Sequence, residues 1–216
     1  MQEIWEVIQQ FFTFFQPENI IRYGGLIFLL SVVFIENGLF FGFFLPGDSL
    51  MFTAGLLTAT GVLEHPFALV ITGIFGSAVL GSAFGYYFGN KAGRNLYKRK
   101  DTFFFRKNHI AIAEQYYQHY GIRTLIIGRF LPVVRTFAPI VAGIVKMPFG
   151  TFMLANVAGA AAWVGSLVSL GYFLGRIWPD AEHYLGYIIL GLIILTAIPV
   201  IRTYLKAKAS NSKNSN

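Results

Sequence analysis

Apolar residues run through this chain in long blocks that are separated by short polar segments. Three blocks carry no charged residue and cover residues 66–89, 147–175 and 184–201. A helix needs about 20 apolar residues to cross a bilayer. We therefore predict transmembrane helices over the first two blocks and a last span at 184–205.

Two further apolar blocks, at residues 23–45 and 121–145, are interrupted by charge and by proline. Glu36 lies in the first, which is followed by Pro46 and Gly47, and Pro132 lies in the second. Interrupted helices leave polar backbone groups that lipid cannot satisfy, so they must be buried in protein or line a cavity. Both blocks are predicted to be broken or re-entrant helices, with helix breaks at Pro46, Gly47 and Pro132.

Composition indicates an integral membrane protein. Of the 216 residues, 55% are hydrophobic and 12% are charged, whereas a soluble domain has about 25% charged residues. Cysteine is absent and the four histidines are scattered, so we expect no disulfide, no metal site and no cofactor. The net charge of +7 then indicates contact with anionic lipid rather than with nucleic acid.

Loop charge predicts the orientation. Basic residues are concentrated in the loop at 90–108 and after residue 201, and acidic residues lie near 64 and at 180–182. Positively charged loops tend to stay in the cytoplasm. We predict a multi-pass protein of the cell (cytoplasmic, inner) membrane with the 90–108 loop and the C-terminus in the cytoplasm. The spans at 66–89 and 147–175 then run in opposite directions.

The broken blocks belong to a weak internal repeat. Pro46 and Pro132 are 86 residues apart (132 − 46), and the same offset relates the segments 85–89 and 171–175. Repeats of opposite orientation with binding at the midplane are typical of transporters. We predict repeat 1 over 24–93 and repeat 2 over 109–179. The alternative is a chance match in an aromatic-rich chain.

The two ends of the chain are predicted to lie outside the transmembrane domain, which covers 19–206. Residues 1–18 show apolar positions at helical spacing, which predicts an interfacial amphipathic helix. Glu3 and Glu6 stand where a signal peptide carries positive charge, so we expect no cleaved signal. Residues 207–216 are polar and are predicted to form a disordered cytoplasmic tail.

Glu36 and Asp48 are the acidic residues of the first broken region. Charge at membrane depth is costly and marks a functional site by default. A carboxyl group held away from water can gain and lose a proton near neutral pH, so both are candidate proton-coupling residues. Two alternatives stay open: Glu36 forms a purely structural ion pair, and Asp48 caps the helix that restarts after Pro46.

Arg129 and Arg135 flank the second break. The guanidinium group is permanently charged, and its planar fork of donors suits phosphate. We predict that the two arginines bind the phosphate of the substrate. The alternative is that they only neutralise Glu36 and Asp48.

Small residues recur at every fourth position of the span that ends at the basic loop: Gly81, Gly85, Gly89 and Gly93. This spacing lets another helix approach closely, so these glycines are predicted to pack helices. The sequence has no nucleotide-binding loop, nucleophile elbow or zinc-binding helix motif. We therefore expect that the protein is not an enzyme.

At these residues the sequence resembles the DedA family of bacterial membrane proteins, which is related to the eukaryotic VTT-domain lipid scramblases. The resemblance covers about residues 20–205. It rests on Glu36, the segments 44–48 and 129–135, the glycine run, and Ala142-Gly143 with Met147. It implies an all-α integral membrane protein with an inverted repeat of two re-entrant helical hairpins plus transmembrane helices. It also implies that Glu36 and Asp48 match acidic positions needed for function, and that Arg129 and Arg135 match essential arginines.

The same resemblance implies movement of polyprenyl phosphate or phospholipid across the cytoplasmic membrane, with dependence on the proton motive force. The resulting hypothesis is a lipid translocase, or flippase, with membrane lipid and protons as partners and undecaprenyl phosphate as the first candidate substrate. A homo-oligomer stays open. Two further hypotheses are a proton- or ion-coupled solute transporter in pH and membrane-potential homeostasis, and a non-transporting envelope assembly factor.

Overall fold

The computed structural model describes residues 17–42, 45, 47–96, 122–184, 186–188 and 191. These ranges are helical, with connecting turns and no strand, so an all-α fold is confirmed for this part of the chain. The helices are α1 (Pro17–Gly38), α2 (Gly47–Ala59), α3 (Phe67–Leu96), α4 (Ile122–Gly128), α5 (Pro132–Ile144) and α6 (Phe149–Ile177), followed by a short 3-10 helix at Pro179–Tyr184.

Within the described ranges, two helices are long and apolar enough to cross a membrane. They are Phe67–Ala92, within α3, and Phe149–Ile177, which is the whole of α6. Both coincide with spans predicted from the sequence at 66–89 and 147–175. The predicted span at 184–205 and helix at 1–18 lie mostly outside the described residues, and the 207–216 tail lies wholly outside them, as does Pro46.

The first broken block is still helical at Glu36. α1 continues past Glu36 to Gly38, and α2 begins at Gly47 after a turn. A second irregularity lies near the start of α1, where Gly25 has φ 62° and ψ −167° and kinks the helix. Only glycine adopts such a conformation readily, so α1 carries its apolar part, Gly25–Gly38, as a separate short helix.

α2 packs closely against α6 through two glycines. A Cβ atom on Gly55 would overlap the carbonyl oxygen of Val168, and one on Gly171 would overlap that of Phe52. Small residues let helix backbones come into contact where lipid gives no hydrophobic drive. A residue larger than glycine therefore does not fit at position 55 or at position 171.

α3 and α5 cross in a similar way. A Cβ atom on Gly89 would overlap the carbonyl oxygen of Ile140, and one on Gly143 would overlap that of Tyr86. Each of these two crossings thus has one glycine contributed by each helix. The pairs are α2 with α6 and α3 with α5.

The remaining glycines of the α3 run meet other elements. Gly81 packs on α1, where a Cβ atom on Gly38 would be 3.2 Å from the Cα atom of Gly81. Gly85 faces the side chain of Ile140 on α5. Gly93 lies in the last part of α3. Through these glycines, α3 packs against both α1 and α5.

The described core consists of two clusters of buried apolar side chains. The larger joins α1, α2, α3 and α6 and includes Leu29, Leu50 and Trp163. The smaller includes Leu125, Phe152 and Tyr86 and joins α3 to the helices of the second broken block and to α6. Of the charged residues predicted as a site, Arg135 contacts Trp163 of the larger cluster, and Arg129 and Arg135 line one cavity with Leu125 and Phe152 of the smaller cluster.

Candidate functional site

The site is built where the two interrupted blocks meet. Glu36 lies in the last turn of α1 and Asp48 in the first turn of α2, while Arg129 lies in the turn between α4 and α5. In that turn the N–H groups of Arg129, Phe130 and Leu131 donate to carbonyl groups three residues earlier, at 3.1–3.3 Å. Such bonds tighten a helix end, and Pro132 then starts α5, where its missing N–H is not needed.

Arg135 lies between the two carboxylates. Its Nη1 donates to Asp48 Oδ1 at 2.5 Å, and its Nη2 donates to Glu36 Oε1. The residues Arg135 and Glu36 are 3% and 0% exposed. Because a guanidinium has separate donors for separate acceptors, one arginine from the second block binds both acids of the first.

Trp163 of α6 completes this group. The Arg135 Cζ atom lies 4.1 Å from the centroid of the Trp163 ring. The indole Nε1 of Trp163 donates to Asp48 Oδ1 at 3.0 Å. Asp48 Oδ1 therefore accepts from both Arg135 and Trp163. We call Glu36, Asp48, Arg135 and Trp163 the acid-arginine cluster.

The backbone around Glu36 is also fixed. Thr136 Oγ1 donates to the Glu36 carbonyl oxygen at 3.2 Å, which ties α5 to the end of α1. The Glu36 carboxylate lies against Gly47, where a Cβ atom would overlap it. A glycine at the start of α2 thus gives this carboxylate its space.

Arg129 is held by neutral acceptors. Its Nη2 donates to Ser82 Oγ on α3 at 2.7 Å and to Asn156 Oδ1 on α6. Among the described residues its Nη1 has no hydrogen-bond partner, although Arg129 is only 4% exposed. Asn156 is itself oriented by its Nδ2, which donates to the Val79 carbonyl oxygen at 3.0 Å. We call Arg129, Ser82 and Asn156 the Arg129 pocket.

Space for Arg129 is provided by a glycine of α6. A Cβ atom on Gly159 would be 2.8 Å from Arg129 Cδ. Arg129 and Arg135 line one cavity with about 10 Å³ of free volume, together with Asn156 and apolar side chains such as Phe152. That volume is about the minimum for one water molecule. The two arginines therefore share a small, nearly filled space.

The structure brings together Glu36, Asp48 and Arg135 in direct contact, and places Arg129 at the same cavity without an acidic partner in the described ranges. Gly47 begins α2 and touches Glu36, and Pro132 begins α5. No group of three metal-ligating side chains occurs among the described residues.

Three residues of the site were not singled out in the sequence: Ser82, Asn156 and Trp163. A signal existed for two of them. Asn156 is a strongly polar amide in a charge-free span, and such residues usually form hydrogen bonds across helices. Trp163 lies in the middle of a span, whereas tryptophan in membrane helices is enriched near the interfaces. Ser82 carried no comparable signal, because serine is common at helix contacts.

Comparison with known proteins gives one family. The VTT domain matches residues 45–173. The chain is 33% identical over 198 residues to protein DedA of Escherichia coli (strain K12), which covers 91% of this chain and 90% of that protein. It is 37% identical over 180 residues to an uncharacterized membrane protein of Mycobacterium tuberculosis (strain ATCC 25618 / H37Rv), with 80% and 75% covered. No solved structure matches the chain.

Proposed function

The chain belongs to the DedA family of VTT-domain membrane proteins, and from this premise we propose that it moves an anionic lipid across the cytoplasmic membrane in a proton-linked cycle. The observation that carries the proposal is the unequal pairing of two buried arginines. Arg135 binds both Glu36 and Asp48, and Arg129 binds neutral groups only among the described residues. Ionisable groups at membrane depth mark a functional site by default.

Charge balance links anion binding to protons. With all four side chains ionised, Glu36 and Asp48 cancel the charges of Arg129 and Arg135. A phosphate group that binds to the arginines makes the buried group negative, and buried charge is strongly unfavourable unless it is compensated. A phosphate monoester carries between one and two negative charges near pH 7, so protonation of one or both of Glu36 and Asp48 restores neutrality and releases Arg135 to the phosphate. The two acids are therefore proposed as the proton-coupling residues, and the two arginines as the phosphate-binding residues.

The site must open for this exchange. Its cavity of about 10 Å³ accommodates no more than a single water molecule, so a phosphate can enter only when the two interrupted blocks separate. We propose that protonation of the acids weakens the contacts of Arg135 that hold these blocks together. The closed arrangement then corresponds to the substrate-free state.

A lipid substrate agrees with an apolar groove beside the site. The groove has a volume of about 440 Å³ and lies between α1, α3 and α5 in the described part of the chain. Its lining includes Gly38, which is two residues from Glu36 in the sequence, together with Phe40, Phe88 and Ile140. Its volume is within the range of about 300–1,000 Å³ found for ligand sites. We propose that the hydrocarbon chain lies there while the headgroup is at the arginines.

The proposed architecture is an inverted repeat of two re-entrant hairpins, with the basic 90–108 loop in the cytoplasm. The two glycine-mediated crossings support it, because the short helix α2 of repeat 1 packs on the long helix α6 of repeat 2, and the short helix α5 of repeat 2 packs on the long helix α3 of repeat 1. Membrane lipid and protons are the proposed partners, undecaprenyl phosphate is the first candidate lipid, and the proposed process has no covalent step.

A reconstituted flipping assay tests the proposal. The protein is placed in liposomes that contain a fluorescent polyprenyl phosphate, or a phosphatidylcholine with the same fluorophore. We expect transport of the phosphate-headed lipid, with loss in Glu36→Gln and Arg129→Gln at equal protein content. Equal rates for the two headgroups would contradict the proposal. Proton movement without lipid movement would instead support a solute transporter, and loss of function only with loss of protein would support an assembly factor.

A further inference from the structure

Trp163 contacts both charge types of the acid-arginine cluster. Its ring face lies 4.1 Å from Arg135 Cζ, and its Nε1 donates to Asp48 Oδ1 at 3.0 Å. The side chain is 2% exposed. Tryptophan is the best aromatic partner of a cation, and this attraction is strongest where water is excluded.

We infer that Trp163 is a positioning residue that holds the Arg135 guanidinium at the site while its carboxylate partners are protonated or are replaced by a phosphate anion. This inference rests on the proposed function. The ring face attracts the guanidinium whatever the protonation state of the acids, because the interaction depends on the ring quadrupole. Arg135 thus keeps one partner during the exchange, and its planar donors stay directed toward the cavity that it shares with Arg129.

The indole N–H has a matching effect on Asp48. Asp48 Oδ1 accepts from Arg135 and from Trp163, so the acid keeps a donor when Arg135 turns to another anion. Asp48 is also the more accessible acid, with its side chain 21% exposed against 1% for Glu36. Trp163 therefore fixes the acid that a proton can reach more easily.

The groups around Arg135 differ in charge, and this difference supports a positioning role for Trp163. Glu36 of α1 and Asp48 of α2 pair with Arg135, and Arg129 lines the same cavity. From α6 the neutral Asn156 also lines the cavity, and it binds Arg129. The nearby α3 side chain, Ser82, binds Arg129 as well. Among these described contacts, Trp163 is the neutral group that touches Arg135.

Fluorescence tests the contact without any transport. In a Trp5→Phe, Trp178→Phe background, Trp163 is the single tryptophan of the chain. We expect Arg135→Gln to change the emission maximum and intensity of Trp163 because the cation on its ring is removed. Arg176→Gln, an exposed arginine in the last turn of α6, is the matched control and should leave the spectrum unchanged. Identical spectra for the two variants would overturn the inference.

Transport kinetics test the positioning role. We expect Trp163→Leu to raise the half-saturating concentration of polyprenyl phosphate about tenfold, and Trp163→Phe, which keeps a ring face, to raise it less than about threefold. Tyr172→Leu is the control for loss of an aromatic ring on α6. The Tyr172 ring packs on Phe67, with the two ring centroids 4.3 Å apart. Equal effects of Trp163→Leu and Tyr172→Leu would overturn the inference. If the native protein moves no lipid, the proposed function fails, while the fluorescence result still decides whether Arg135 and Trp163 are coupled.

Discussion

Arg129 and Arg135 belong to one seven-residue segment and are almost equally buried, yet their surroundings differ in charge. Arg135 has two carboxylates and an aromatic ring, while Arg129 has a serine, an amide and an Nη1 without a partner in the described part of the chain. A buried ion pair is weak evidence for stability, but removal of one partner is strongly destabilising. In the proposed mechanism, Arg135 therefore holds the substrate-free state together and Arg129 is the arginine with a donor left for an anion.

The largest expected difference between the two arginines is in stability. Arg135→Gln leaves Glu36 and Asp48 buried without their cation, so we expect the free energy of unfolding to fall by roughly 3–5 kcal/mol. Arg129→Gln should change it by less than about 1 kcal/mol, since the neutral amide can still donate to Ser82 or Asn156. Thermal unfolding of both variants in detergent micelles measures this. Equal losses would show that the two sites do not differ in the way described.

A second variant tests the cluster through the space of one carboxylate. Gly47→Ala places a methyl group where the Glu36 carboxylate lies, so Glu36 must move away from Arg135. Overpacking of this kind typically destabilises by about 1–3 kcal/mol. The matched control is Gly76→Ala on α3, where a Cβ atom meets nothing within 4 Å and where alanine is expected to be neutral or slightly stabilising. If the unfolding temperatures of the two variants agree, Gly47 does not position Glu36.

The smallest stability change is expected from a variant that makes the Arg129 pocket resemble the acid-arginine cluster. Asn156→Asp puts a carboxylate beside Arg129. This carboxylate cannot donate to the Val79 carbonyl oxygen as the amide does, but its ion pair with Arg129 should offset that loss, and the new acid competes with phosphate. We expect about a tenfold rise in the half-saturating concentration of polyprenyl phosphate. Asn156→Leu removes the amide hydrogen bonds without adding charge, and it separates the two causes. A similar loss in both variants would show that hydrogen bonding, and not charge, controls the site.

The charged part of the site could be predicted from the sequence because charge is rare in apolar blocks. Glu36, Asp48, Arg129 and Arg135 stand out against lipid-compatible neighbours. The shared 86-residue offset led to the prediction that the two blocks are related, with a chance match as the alternative. The pairing could not be predicted. Which arginine contacts the acids depends on the rotation of α5 about its axis and on the turn before Pro132. Neither can be read from the periodicity of the sequence.

Helix boundaries and neutral partners show the same limit. The apolar block ends at Gly89, but α3 continues to Leu96, because helical hydrogen bonds do not require apolar side chains. Asn156 and Trp163 act through their orientation toward residues far away in sequence. A single sequence gives residue types at those positions and no orientation.

Proton uptake on anion binding tests the central claim most directly. A short-chain polyprenyl phosphate is titrated into the purified protein near pH 7 by calorimetry in two buffers with different enthalpies of ionisation. A phosphate monoester carries between one and two negative charges near pH 7. If Glu36 and Asp48 compensate for this charge, about one to two protons should be taken up per lipid bound. A Glu36→Gln, Asp48→Asn variant should lose this uptake. Binding of the native protein without any proton uptake would contradict the account.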